Sequence, residues 1–184
     1  MASDDELPYL PIQNLAERHP ALTPFLAGSF LEAASVCLDQ HYQPPTVFVL
    51  EDDNVEVIAN TLWDIPDERT KAAWANQDDA TRDGAYALAI ATVELTRNLY
   101  AVRRAETRTG ADYYIAPADQ PLDDLENFFR LEVSGTHLDK SEVKRRLRIK
   151  ARQAQQGNSN LPALAAVVGF GVKLVVIQTV DSAL

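Results

Sequence analysis

The chain of 184 residues is long enough for one domain with its own core. Its 46% hydrophobic content is that of a globular protein, and its longest apolar runs fall far short of the ~20 residues of a membrane span. A single cysteine excludes an internal disulfide and a thiolate metal cluster, and a formal net charge of −10 argues against a general polyanion binder.

Residues 1–20 read as an irregular arm. Its acidic, proline-containing start, MASDDELPYLP, is unlike a signal peptide, so a cytoplasmic protein with no membrane partner is expected. Thr23 followed by Pro24 is a helix start, and the helix is predicted through FLAGSFLEAASVCLDQHY, ending before Pro44 and Pro45. Cys37 falls in its apolar run and reads as a buried, inert thiol. TVFVLED and VEVIANTLW read as two strands joined by the acidic turn at 51–54. An alanine-rich helix is predicted over roughly 67–97, with a break near 76–79. YAVRRAE and ADYYIAP form a hairpin around TRTG, ADQPLDDLEN is a polar loop, and FFRLEVSG is the next strand. A basic helix follows over 139–156, capped by Asp139 or Ser141 and ended by QGNSN. ALAAVVGF and KLVVIQTV are the last strands.

This order predicts a mixed α/β (α+β) single domain over 1–184. Residues 1–66 would be an N-terminal helix–hairpin extension, and 67–184 a core with a central mixed sheet flanked by helices.

The charge is unevenly placed. Residues 1–96 hold 17 acids against 4 Lys/Arg, a balance of −13, and residues 97–152 hold 9 acids against 12 Lys/Arg, a balance of +3. KSEVKRRLRIKAR at 140–152 has seven basic residues against one glutamate. That run is either a solvated helix face that offsets the acidic half or a phosphate-contacting surface, with Arg145, Arg146 and Arg148 as nucleic-acid contacts.

Two predicted strands each carry one acid. Alternation puts Glu132 with Arg130 and Ser134 on one face, and Asp112 with Tyr114. On neighbouring strands, Asp112 and Glu132 would meet on the face away from the core and repel unless a cation sat between them. Magnesium suits such a pair, since it is a hard ion that takes one or two protein carboxylates. The plain alternative is two exposed acids paired with arginines such as Arg130.

A helix bearing an acid, an acid on one strand, an E-x-K-type element on the next and a following basic helix together resemble the PD-(D/E)XK nuclease superfamily. The resemblance covers roughly residues 78–180, with GAD at 110–112 and Glu132-Val133-Ser134 as its motif elements. It implies a restriction-endonuclease-like αβββαβ core and a catalytic set of Asp112, Glu132 and a helix acid. The helix acid would be Asp83 or Glu94, with Asp83 better placed toward Asp112. Asp112 and Glu132 would hold Mg²⁺. The lysine that this superfamily carries two residues after the second acid is Ser134 here. Lys144 or Lys150 of the basic helix would replace it, and Gln153 resembles a helix glutamine found in some members.

His19, His41 and His137 show no zinc spacing, although His137 could line a site. Tyr113 and Tyr114 are either boundary residues or base-stacking platforms. Two functions follow. One is a Mg²⁺-dependent nuclease acting on DNA, in restriction or phage defence. The other is a catalytically inactive relative that serves as a protein-interaction module or subunit, with a protein partner or a second copy of itself. An acidic inhibitor would fit the net charge but explains neither strand acid.

Overall fold

The computed structural model describes residues 6–119, 127–157 and 159–180. Most of the expected ADQPLDDLEN loop and part of the QGNSN stop lie outside the described residues. The arm is not wholly irregular, because Leu15–Arg18 forms a short helix, α1.

Helix α2, Pro24–Asp39, starts as its sequence requires. Thr23 Oγ1 accepts the Leu26 N–H, and Pro24 fills the first turn, where no N–H is needed. It ends three residues before the predicted stop, and Ala33, Ala34, Cys37 and Leu38 are fully buried. Strands β1, Thr46–Asp52, and β2, Val55–Thr61, form a hairpin around Asp53 and Asn54. The predicted long helix is two helices, α3, Glu68–Ala73, and α4, Gln77–Arg97. Asn76 divides them, its side-chain oxygen accepting the N–H groups of Asp78 and Asp79 as a new N-cap.

The remaining elements are β3 Leu99–Arg104, β4 Tyr113–Pro117, β5 Phe129–Thr136, α5 Lys140–Gln156, β6 Ala163–Gly169 and β7 Leu174–Val180. Asp139 caps α5 by accepting the Glu142 N–H. The seven strands form one mixed sheet in the order β2-β1-β7-β6-β5-β4-β3. β3, β4 and β5 form an antiparallel meander, α5 carries the chain over to a parallel β6, and β7 returns antiparallel and pairs in parallel with β1. Residues 46–61 are therefore part of the central sheet rather than an appendage.

Helices cover both faces. Leu131, Val133, Leu164, Ala166, Val175 and Ile177 pack with α4 and α2 in the main core. On the opposite face, Val143 of α5 meets Val167, Leu174 and Val176, and Ala154 meets Ala163, Ala165 and Val180. Contact between α2 and α4 is backbone-close. A Cβ on Gly84 would lie 2.9 Å from the Ala34 backbone, so only glycine fits.

The N-terminal arm touches the sheet at both ends. Pro8 and Leu10 exchange backbone hydrogen bonds with Asn60 of edge strand β2. At the other edge, Ala101 of β3 donates to His19 Nδ1 and accepts from the Ala21 N–H. Arg18 and His19 are fixed to α4 by Glu94, at 2.6 and 2.8 Å. Of the two helix acids considered, Glu94 is thus occupied in holding the arm.

Candidate functional site

Glu132 projects from β5 toward α5 and is buried, with 8% of its surface exposed. Lys150, more than two turns along α5, reaches down so that its Nζ lies 2.6 Å from Glu132 Oε1. Burial pushes the Glu132 carboxyl above its ordinary value of 4.5, and the negative charge of Asp112 adds to the rise. Lys150 and, more weakly, Arg104 pull it back. The net rise shows that one lysine does not fully offset two acids in a partly dry site.

Asp112 is placed differently from the strand expectation. β4 begins at Tyr113, so Asp112 is freed from the alternation of the pleat. Its backbone N–H still donates to Leu131 O at 2.8 Å, which brings Asp112 beside β5. Its carboxylate turns into the seam between β4 and β5 instead of standing on the far face. Oδ2 accepts the Val133 N–H at 2.8 Å, and Oδ1 accepts the Tyr86 hydroxyl at 2.8 Å from α4. The two acids meet electrostatically at the edge of the meander.

Asp83 lies one helical turn before Tyr86 on α4. It accepts Arg82 Nε at 2.9 Å. The hydroxyl of Tyr113 is pushed up by burial, with Arg104 opposing and the charges of Asp112 and Asp83 adding, so Asp83 belongs to the same neighbourhood. Ser134, half-buried, accepts from Arg146 Nη1 at 3.4 Å. Lys144, Arg148 and Gln153 are exposed on α5. The three-residue spacing of Lys150 and Gln153 therefore does not bring the glutamine side chain under the helix with the lysine. Arg145 and Arg146 both donate to Glu142, which pulls its carboxyl down to about 2, so the basic helix is partly neutralised from within.

Beside these residues runs a groove of about 450 Å³ lined by Thr81, Arg82, Ser134, His137, Arg146 and Lys150. His137 borders it but is tied up. Its Nε2 donates to Thr81 Oγ1 at 3.0 Å, because that hydroxyl gives its own proton to Gln77 O, and its Nδ1 accepts from His41 Nε2 at 2.8 Å. Cys37 is buried and its thiol is pushed up to about 12 by burial, in keeping with an inert role. Tyr113 and Tyr114 are buried rather than presented to a base. Among the described residues, no group of three or more His, Cys, Asp or Glu is arranged to hold a metal ion. Among the described residues, no helix is long and apolar enough to cross a membrane.

Sequence reasoning missed Tyr86 and Arg104. Arg104, the last residue of β3, lies over the rings of Tyr113 and Tyr86, 4.7 and 5.1 Å from their centroids. The signal for Tyr86 was its position one turn from Asp83, hidden in a run of alanines that reads as core. No protein-family model, curated protein or solved structure significantly matches the chain.

Proposed function

We propose that this protein is a divalent-metal-dependent phosphodiester hydrolase acting on DNA, a degenerate relative of the PD-(D/E)XK nucleases. One observation carries the reading: Lys150 reaches Glu132 from α5, bringing to the site the positive charge that Ser134 lacks. The helix–strand–strand–strand–helix–strand order from α4 to β6 is the arrangement that superfamily uses.

The donors suit a hard cation. Asp112 and Glu132 offer carboxylate oxygens only, and burial, with the charge of Asp112 adding, raises the Glu132 carboxyl, a cost that a divalent ion would offset. Mg²⁺ held there by Asp112 and Glu132 would polarise a phosphoryl oxygen and acidify a water. Tyr86 and the Val133 N–H hold Asp112 in one orientation. The Lys150 ammonium is positioned to stabilise charge developing on the phosphate. Arg146, at the groove beside Ser134, and the exposed Arg148 supply contacts to the flanking backbone.

A second reading has its own support. Both Asp112 oxygens already accept protein hydrogen bonds and Glu132 already holds a lysine. Such a site can be stable without metal, as in an inactive relative kept for protein contacts. Calorimetric titration with Mg²⁺ and Mn²⁺, run beside cleavage assays on linear, nicked and single-stranded DNA, separates the two. The wild type is expected to bind metal and cut, with Asp112→Ala and Glu132→Ala binding at least about tenfold more weakly and not cutting. Equal affinity in all three proteins would sink the site assignment, and binding without cleavage would favour the inactive relative.

A further inference from the structure

We propose that Arg104 is the phosphate-holding residue of this site. The proposal rests on the reading of Asp112 and Glu132 as a phosphodiester site and names the group that receives the substrate there.

The cations around the two acids are not equivalent. Lys150 is paired with Glu132, Arg146 with Glu142, and Arg82 with Asp79 and Asp83. Arg104 has no carboxylate partner within ion-pair distance among the described residues. Its hydrogen-bonding contacts there are to tyrosine hydroxyls, a long donation from Nη2 to Tyr86 at 3.4 Å and an approach to Tyr113. Yet it is close enough to the site for its charge to lower the pKa of Glu132.

Its geometry is that of a receptor rather than a brace. Two tyrosine faces hold the guanidinium plane and fix its orientation, and the tyrosine hydroxyls draw only weakly on its N–H donors. A planar fork of donors that no carboxylate holds matches the paired oxygens of a phosphate, which a lysine ammonium cannot match in two contacts at once. Arg104 is exposed, so an anion reaches it without opening the core. The tyrosines also tie it to the acids, since Tyr86 donates to Asp112 Oδ1. Arg104 on the β3 side and Lys150 on the α5 side would therefore face a phosphate from two directions, with the carboxylates between them.

The test uses the full-length protein and has two arms. In the first, arginine Nε–Hε resonances are followed by NMR during titration with inorganic phosphate at constant ionic strength. The Arg104 signal is expected to shift and saturate, and the shift to vanish in Arg104→Gln. In the second, binding of a labelled 20-base-pair DNA duplex is measured against salt in Ca²⁺. Arg104→Gln is expected to weaken binding about tenfold and lower the log–log salt slope by about 1. Arg104→Lys is expected to restore the slope but not the affinity. Thermal melts of both variants establish that they fold. No saturable Arg104 shift, or, where the wild type binds DNA, equal binding by Arg104→Gln, overturns the proposal even if the protein cuts DNA. A saturable shift in a protein that neither binds nor cuts DNA upholds the phosphate site and removes the nuclease reading.

Discussion

At the scale of single residues, Glu132 costs the fold stability at neutral pH. Its carboxyl is raised in the folded protein, so the native state binds that proton more tightly than the unfolded chain does. Stability from this residue is therefore lost as pH rises from about 4.5 through the folded pKa. Replacing Glu132 with glutamine removes the charge and keeps the shape, and the lysine it releases is half-buried and can turn to water. Glu132→Gln is expected to match the wild type in thermal melts at pH 4. At pH 8 it should be the more stable protein by on the order of 1 kcal/mol. A variant that is less stable at pH 8 would mean that the lysine contact outweighs burial. Divalent metal should reverse the order in the wild type alone, since a bound cation favours the charged carboxylate.

At the scale of elements, what could be read from the chain was what local chemistry decides. Thr23–Pro24 and Asp139 act as caps wherever they fall, so those helix starts were legible from short polar signals, whereas Asn76 was legible only as part of a break near 76–79. Alternation along FFRLEVSG put Glu132 with Arg130 and Ser134 on the face away from the main core, and in the fold α5 covers that face of the regular strand β5. The same rule failed at Asp112, because a strand that starts one residue later releases its preceding side chain to cap a neighbour's N–H. Choosing Lys150 over Lys144 needed the angle at which α5 crosses the sheet, which no spacing contains. Tyr86 and Arg104 were invisible for a related reason: their role comes from β3 and α4 meeting the same end of β4. The close packing of α2 on α4 is equally a product of assembly. Gly84→Ala gains about 1 kcal/mol of helix propensity but presses a methyl group into the Ala34 backbone. A net loss of about 1–2 kcal/mol is expected in urea denaturation, and an unchanged midpoint would show that the two helices can part at no cost.

At the scale of the whole molecule, the acidic and basic halves of the sequence are not separate bodies. β1, from the acidic half, lies beside β7, and Arg97 binds Asp52, Asp53 and Thr179 where they meet. The arm extends that integration, since Pro8–Leu10 holds Asn60 at one edge of the sheet and His19–Ala21 holds Ala101 at the other. His19 Nδ1 accepts from a backbone amide, and burial sets its pKa below the ordinary 6.5 despite Glu94. The hold it provides is complete above pH 6.5 and is lost as pH falls below that value. An edge strand normally frays by itself, but here the two outermost strands share one latch. In native-state hydrogen exchange, the amides of Asn60 and Ala101, six strands apart, are expected to open with the same free energy and to lose protection together on acidification. Different opening energies would show the latch to be two independent contacts. With a common latch, the open edges at which sheets pair with other chains appear together or not at all, so a partial opening leaves no single strand waiting for a partner.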